Sequence, residues 1–206
     1  MIRFSLIPVV HGQAPVTGLG LFAAISYALG MMSSSDEQLM QQYAAGDMSA
    51  FESLYKRYRG PLYRYIQQRV SDPATANDLY QGSWEKLIKA RRRYQPTAPF
   101  GAWLFRIAHN HVVDHFRASR YTEQLDPENT VSTHPQPTDV LDNEQRELRF
   151  RAALLNLPDA QRNTLLLKIE AGLGLKEIGK ITGVERETVK SRLRYATDKL
   201  KRVLKP

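Results

Sequence analysis

LKEIGKITG, residues 175–183, runs directly into VERETVKSRLRYATDKLKRVL, residues 184–204, and this stretch decides the fold of the C-terminal half. The first part predicts a short helix that ends at a glycine, and the second part predicts a long helix. The long helix carries apolar residues at spacings of four, three and four, which are Val189, Leu193, Ala196 and Leu200. That spacing predicts one buried stripe. A short helix, a glycine turn and a longer second helix form the helix-turn-helix arrangement.

The polar start of this second helix favours binding to DNA. In a helix-turn-helix, the first residues of the second helix reach base edges in the major groove, where arginine bonds guanine and Lys, Ser or Thr hold phosphates. The alternative is an ordinary helical hairpin with a solvated basic face, and the glycine turn and the positive charge favour DNA binding over it. The residues left outside the buried stripe are Arg186, Glu187, Lys190, Ser191 and Arg194.

The charge of the chain is organised in blocks. The formal net charge is +8, which suits a polyanionic partner, although a basic protein need not have one. Residues 36–117 carry 12 basic and 8 acidic residues, residues 118–145 carry 1 and 6, and residues 146–206 carry 15 and 7. Two basic blocks around an acidic strip indicate two modules and a linker. The chain has no cysteine, which excludes disulfides and thiolate metal sites.

Helical periodicity extends over both basic blocks and no stretch predicts a strand. We therefore expect an all-α fold of two small helical domains, residues 36–117 and residues 140–206. Between them, residues 118–139 hold three prolines among polar and acidic residues and lack apolar periodicity. This composition predicts an extended, flexible acidic linker.

Residues 1–35 differ in composition from the rest of the chain. Arg3 is their only Lys, Arg, Asp or Glu, and residues 18–32 form an uncharged apolar run. That run is shorter than the roughly 20 residues of a transmembrane helix. We interpret residues 1–35 as an unstructured leader or a wrongly assigned start, because Met31 and Met32 offer later starts. A signal or membrane tether and a structured extension are the alternatives.

The segment from Phe100 to Arg117 predicts a helix with two different faces. An aromatic ring beside Arg and Asn suits single-stranded DNA, because bases stack on rings while cations hold phosphates. The alternative for the aromatic residue of this face, Trp103, is a plain core position. On a helical wheel the core side holds Phe100, Leu104, Ile107 and Ala108. The polar side holds Arg106, Asn110, Asp114 and Arg117, with Trp103 at its edge.

Three histidines offer a metal-site alternative. His111 and His115 stand four apart on the predicted helix, a spacing that lets two imidazoles share one zinc ion. His109 and Asp114 point elsewhere on the helix, so a third ligand is not evident and we expect no metal site. The sequence also has no nucleophile elbow, no phosphate-binding glycine loop and no matched acid pair for catalysis.

Residues 157–201, LPDAQRNTLLLKIEAGLGLKEIGKITGVERETVKSRLRYATDKLK, resemble region four of the extracytoplasmic-function (ECF) sigma factors of the bacterial sigma-70 family. The leucine-proline start, the LLL run, the EI…GV step and the TVKSRL opening of the second helix carry the resemblance. In that family this domain reads the −35 promoter element. The resemblance implies that role for Arg186, Glu187, Thr188, Lys190, Ser191 and Arg194.

Residues 78–117, DLYQGSWEKLIKARRRYQPTAPFGAWLFRIAHNHVVDHFR, resemble region two of the same family, which docks on the polymerase clamp and opens the −10 element. The DL-Q-W-KL pattern, the F-x-x-W-L-x-R-I-A-x-N core and the DHFR end carry this resemblance. One departure is Gly82, where the family commonly has an acidic residue. A glycine inside a helix costs about 1 kcal/mol relative to alanine.

The second resemblance implies two further sets of site residues. The loop before the helix, residues 94–100, is the candidate for holding an everted base. For binding and melting the −10 element, the implied residues are Arg92, Arg93, Tyr94, Phe100, Trp103, Arg106, Asn110, Asp114 and Arg117. For binding core polymerase, they are Asp78, Leu79, Gln81, Trp84 and Lys86.

Together the two resemblances imply a cytoplasmic RNA polymerase sigma factor whose partners are bacterial core RNA polymerase and promoter DNA. An anti-sigma factor, which in this family can hold the sigma factor at the membrane, is a further candidate partner. No cofactor, no small-molecule substrate and no bond chemistry by the chain itself is implied. Two alternatives stay open: a helix-turn-helix regulator that acts without polymerase, and a histidine-based metalloenzyme.

Overall fold

The computed structural model describes residues 34–70, 72–125 and 142–204, and these residues form eight α-helices and no strand. The predicted leader, residues 1–35, lies outside the described residues except for its last two positions. The all-α fold that the sequence predicts is confirmed. The helices are α1 (Asp36–Ala45), α2 (Met48–Gln67), α3 (Pro73–Ala90), α4 (Phe100–Leu125), α5 (Asp142–Leu155), α6 (Asp159–Ile169), α7 (Leu175–Thr182) and α8 (Arg186–Leu204).

Two aspartates begin two of the N-terminal helices. Asp47 caps α2, because its carboxylate accepts a hydrogen bond from the backbone N–H of Ser49 at 2.8 Å. Asp72 caps α3 by accepting from the N–H of Thr75 at 2.8 Å, and Pro73 occupies the first turn. Each cap satisfies an amide that a helix end leaves unpaired, so the local sequence fixes where α2 and α3 start.

Helices α1 to α4 enclose a core rich in aromatic side chains. Tyr65 of α2 and Phe105 of α4 are fully buried, and their rings meet edge-on with centroids 5.3 Å apart. Burying an apolar side chain of this size stabilises the fold by roughly 1.5–3 kcal/mol. Of the predicted core stripe of α4, Phe100, Leu104 and Ala108 are fully buried and Ile107 is half-buried.

Helices α5 to α8 form a second group, in which α8 packs against α5, α6 and α7. The turn after α7 requires a left-handed residue, and Gly183 supplies it with φ of +67°. Glycine adopts this conformation without the steric cost that a Cβ would add. Of the predicted stripe of α8, Val189, Ala196 and Leu200 are buried and Leu193 is half-buried.

The two groups of helices meet at a polar surface that the sequence did not predict. The hydroxyl of Tyr65 donates to Oδ1 of Asn163 at 2.8 Å, and the guanidinium of Arg64 lies 2.9 Å from the carboxylate of Glu170. From Asp36 onward the chain therefore forms one compact unit. We call this surface the polar joint, and its residues are Arg64, Tyr65, Arg69, His109, Asp159, Asn163 and Glu170.

The structure corrects one predicted boundary. Helix α4 continues to Leu125, eight residues past its predicted end at Arg117, so the first third of the predicted linker is helical. Residues 118–125 contain no proline, whereas Pro127 disfavours the helical conformation at Asp126. The rest of the predicted linker, residues 126–139, lies outside the described residues. Among the described helices, none combines the length and apolarity needed to cross a membrane.

Candidate nucleic-acid interface

The second helix of the helix-turn-helix, α8, presents its first two turns to solvent. Ser191 and Thr188 are half-buried, and the hydroxyl of Ser191 donates to the carbonyl of Thr188 at 2.9 Å. Lys190 lies 3.6 Å from Glu187 in an exposed ion pair. Such a pair contributes little stability, so Lys190 is available to a phosphate. The exposed members of the predicted −35 set are Arg186, Glu187, Lys190 and Arg194.

A close backbone approach sets the angle between α7 and α8. The N–H of Val184 donates to the carbonyl of Gly179 at 3.1 Å. A Cβ placed on Gly179 would lie 2.7 Å from the carbonyl oxygen of Val184, which is closer than real Cβ atoms come to other atoms. Two glycines, Gly179 and Gly183, therefore let the chain turn tightly enough to place the start of α8 at the surface.

The polar side of α4 forms one exposed row. Arg106, Asn110 and Asp114 follow each other at intervals of four residues, and Arg117 follows three residues later. Residues at these spacings lie above one another on a helix, so the row is a continuous strip. The wheel prediction for these four side chains agrees with their exposure; what they bind stays a prediction.

The loop before α4 rests on an aromatic cluster. The ring of Tyr94 lies 5.0 Å from Trp103 and 6.2 Å from Phe100, between centroids. Trp103 is half-buried, so it both packs and borders the surface. Burial, together with the nearby carboxylates of Glu37 and Asp36, raises the pKa of Tyr94 to about 12.

Two residues of the predicted −10 set are buried, and their contact with DNA stays a prediction. Phe100 is fully buried and Tyr94 is 9% exposed, so neither ring is open to a base in this structure. Both support the loop from beneath, because an apolar ring is more stable under the loop than in water. The surface of this region consists instead of Arg92 and Arg93, which are exposed on a short 3-10 turn, and of Gln95, Pro96, Thr97 and Pro99 in the loop.

A cavity of 210 Å³ lies between this region and α7. Arg93, Trp103 and Arg106 line one side of it. Glu177 and Lys180 of α7 line the other side. The polar strip of α4 and the helix-turn-helix are therefore adjacent.

The predicted polymerase-binding residues of α3 divide into two groups. Asp78, Gln81 and Lys86 are exposed and remain candidates for a protein partner. Leu79 and Trp84 are 4% and 6% exposed, and their contact with polymerase stays a prediction. The Trp84 ring packs against aromatic side chains of α2, which holds α3 in place.

The three histidines point to different surroundings. His109 lies within 3.4 Å of Tyr65 and Asn163 in the polar joint, whereas His111 faces Ser83 at 3.5 Å. Burial, reinforced by the charge of Arg69, lowers the pKa of His109 to about 4. Among the described residues, no group of three or more His, Cys, Asp or Glu side chains could hold a metal ion.

Sequence reasoning missed two charged residues that order this region. Glu37 of α1 accepts a hydrogen bond from the backbone N–H of Phe100 at 2.8 Å. Arg69 is 3% exposed and donates to Asn163 in the polar joint. Each contact joins positions more than sixty residues apart in the sequence. A local sequence pattern does not predict such pairs.

Two family models match the chain and cover both helical groups. Sigma-70 region 2 matches residues 54–121, and Sigma-70, region 4 matches residues 153–202. ECF RNA polymerase sigma factor BldN of Streptomyces coelicolor is 35% identical over 182 residues, which cover 81% of this chain and 65% of BldN. RNA polymerase sigma factor CarQ of Myxococcus xanthus is 28% identical, and that match covers 80% of this chain and 95% of CarQ.

Solved structures share the fold. CnrH, in complex with the cytosolic domain of CnrY, has a TM-score of 0.62 at 24% identity, covering 83% of this chain and 97% of CnrH. The sigma factor RpoE of Bartonella quintana, in complex with the anti-sigma factor NepR, has a TM-score of 0.63 at 24% identity, covering 75% of this chain and 96% of RpoE. The fold defines a two-module helical protein with a helix-turn-helix. With the family matches, the chain belongs to the sigma-70 family, in its ECF group, and is an RNA polymerase sigma factor.

Proposed function

We propose that the two modules divide promoter recognition between them. The helix-turn-helix of α7 and α8 binds the −35 element as duplex DNA, and α4 with the loop 94–99 captures the opened −10 strand. The observation that carries the proposal is the separation of exposed and buried side chains. In both modules the polar candidates lie on the surface, while the residues that fix their helices are buried.

The chemistry of the two surfaces supports this division. Arg186 at the start of α8 carries the fork of donors that suits guanine in the major groove. The strip of α4 combines cations, an amide and the half-buried ring of Trp103, which is the combination that single-stranded DNA requires. Duplex reading needs projecting side chains, whereas strand capture needs a ring and a groove, so the two surfaces are not interchangeable.

The exposed face of α3 is the proposed docking surface for core polymerase. Asp78, Gln81 and Lys86 are exposed there, and the buried Trp84 fixes the helix against the core. Polymerase supplies the bond chemistry, so the chain itself is no enzyme and acts in the cytoplasm with core polymerase and promoter DNA. An anti-sigma factor is a further proposed partner, since RpoE and its anti-sigma factor NepR form a complex on the same fold.

In-vitro transcription with core polymerase and genomic promoter fragments tests the proposal. Addition of the purified chain should direct initiation at defined start sites, and charge reversal at Asp78 or Lys86 should weaken co-elution with core polymerase. Charge reversal at the equally exposed Glu52, outside the proposed docking face, is the control and should leave co-elution unchanged. Tight, specific DNA binding without polymerase, and no initiation with it, would instead support the regulator alternative.

A further inference from the structure

Helix α1 lies outside both family matches. It spans Asp36–Ala45, whereas the region 2 match begins at residue 54. Its buried residues pack it onto the module, and it contacts α2, α4 and the 3-10 turn Arg91–Arg93. Neither family match therefore assigns a role to this short helix.

Helix α1 contacts the chain on both sides of the loop 94–99. After the loop, the carboxylate of Glu37 accepts from the N–H of Phe100 at 2.8 Å. Before the loop, the guanidinium of Arg91 lies over the ring of Tyr43, 5.8 Å from its centroid. Glu37 and Tyr43 are six residues apart, which is about 9 Å along a helix. Both ends of the loop are therefore fixed to one rigid element.

The bond from Phe100 to Glu37 is the stronger of these contacts. Phe100 is the first residue of α4, where backbone N–H groups lack partners within the helix. The N–H groups of Ala102 and Trp103 bond the carbonyl of Pro99, and the Phe100 N–H bonds the Glu37 carboxylate. A carboxylate at the positive end of a helix makes a charge-assisted hydrogen bond, which is stronger than a neutral one.

A second layer fixes the side chain of Phe100 as well as its backbone. The hydroxyl of Tyr58 donates to Asp36, which also pairs with Arg57. The Tyr58 ring meets the Phe100 ring edge-on at 5.1 Å between centroids. Two neighbouring carboxylates of α1 therefore hold two parts of one site. Glu37 bonds the backbone at the end of the loop, and Asp36 bonds Tyr58, whose ring packs against Phe100 beneath the loop.

We infer that α1 braces the loop 94–99, and that Glu37 is a positioning residue that holds the loop in the geometry for capturing the unpaired −10 strand. The inference rests on the proposed function of the loop. Glu37 does not contact DNA in this role, because a carboxylate repels phosphates. It acts through the backbone of Phe100. A residue that only capped a helix elsewhere in the fold would affect the stability of the protein and leave strand opening unchanged.

The test uses holoenzyme reconstituted from core polymerase and the full chain. Glu37→Ala removes the acceptor, Glu37→Gln keeps an acceptor without charge, and Glu52→Ala removes an exposed carboxylate that pairs with Lys56. Permanganate reactivity of the −10 strand measures opening, a gel shift on duplex promoter measures binding, and thermal unfolding measures stability. Limited trypsin cleavage at Arg91–Arg93 in the free chain reports how firmly the loop is held.

Loss of the charged hydrogen bond in Glu37→Ala should lower opening about tenfold. Duplex binding by Glu37→Ala should stay within about twofold of the wild type. Glu37→Gln should recover most of the strand opening. Trypsin cleavage at Arg91–Arg93 should accelerate in Glu37→Ala and not in the other two variants. Equal loss of binding and opening, or unchanged opening and cleavage, would overturn the inference. Asn110→Ala distinguishes failure of the proposed function from failure of the Glu37 inference. If Asn110→Ala and Glu37→Ala both leave strand opening intact, the proposed function of the α4 face is wrong. If Asn110→Ala lowers opening and Glu37→Ala does not, only the role of Glu37 is wrong.

Discussion

The imidazole of His111 on α4 occupies the space into which a side chain at Gly82 on α3 would project. A Cβ built on Gly82 would overlap Cε1 of His111 and lie 3.3 Å from both ring nitrogens. The glycine that departs from the family pattern is therefore matched by a ring on the neighbouring helix. The free-energy cost of a glycine inside α3 is offset by the close packing of α3 on α4.

Gly82→Ala should fail to stabilise α3 despite the better helix propensity of alanine. Alanine gains about 1 kcal/mol in a helix interior, but overpacking costs roughly 1–3 kcal/mol. In a His111→Ala background the overlap is gone, and the same substitution should stabilise the fold by about 1 kcal/mol. Urea unfolding of the four proteins in the cycle measures the coupling. Additive effects would show that His111 does not fill this space.

Gly179→Ala should destabilise the helix-turn-helix by about 2 kcal/mol, because the nearest atom to the added Cβ is a backbone carbonyl that cannot rotate away. Lys176→Ala, one turn earlier on the exposed side of α7, is the matched control and should stay within about 0.5 kcal/mol of the wild type. Chemical denaturation measures both variants. A Gly179→Ala protein as stable as the control would contradict the close approach described for this turn.

The stability of the chain should fall between about pH 6.5 and pH 4 in part because of His109. Its folded-state pKa is lowered to about 4 from 6.5, so below pH 6.5 the unfolded chain takes up a proton that the folded chain refuses. Arg69 and Asp159 face this ring, and the Arg69 charge opposes its protonation. Thermal unfolding at pH 7, 6 and 5 should show a smaller loss for His109→Gln than for the wild type.

His111 also has a lowered pKa and should contribute to the same pH dependence. Some loss should therefore remain in His109→Gln and decrease further when His111→Gln is added. An identical pH dependence in the wild type and His109→Gln would mean that His109 is solvated like an exposed histidine, in conflict with its place in the polar joint.

Arg186 and Lys190 should differ in the kind of defect they cause. Arg186→Ala should relax the preference at one base pair of the −35 element by roughly 1–3 kcal/mol, because a bidentate base contact is lost. Lys190→Ala should weaken all sequences alike and lower the salt slope by about one. Gel shifts of holoenzyme on −35 variants at several salt concentrations measure both.

Asn110→Ala should spare duplex binding and reduce strand opening. The reverse pattern would exchange the promoter elements assigned to the two modules.

Local sequence was sufficient for much of the fold. The glycine turn with its apolar stripe predicted α7 and α8, because turn signals and periodicity act within a few residues. The extension of α4 to Leu125 was missed for the opposite reason. Polar residues after Arg117 resembled a linker, and a polar helix end gives the same composition as a loop.

The candidate sites were less predictable than the helices. The family resemblance placed Trp84, Leu79 and Phe100 near a site, but a motif does not distinguish a residue that touches a partner from one that supports the contact. Burial makes that distinction, and burial depends on packing between helices. Glu37 illustrates the limit further, because its partner is a backbone group sixty-three positions away and carries no side-chain signature.

The polar joint connects the two groups of helices through directed hydrogen bonds. The Arg69 Nε is buried there without a hydrogen-bond partner in the described part of the chain, which costs free energy. Tyr65, Arg69 and Asn163 are buried there, so the loss of one of their hydrogen bonds leaves a buried polar group unsatisfied at a cost of about 1–3 kcal/mol. The buried apolar side chains of α1–α4 and of α5–α8 belong to one hydrophobic core cluster. The polar joint therefore fixes how the surface of α4 and the helix-turn-helix are placed relative to each other, because directed hydrogen bonds tolerate little change in geometry.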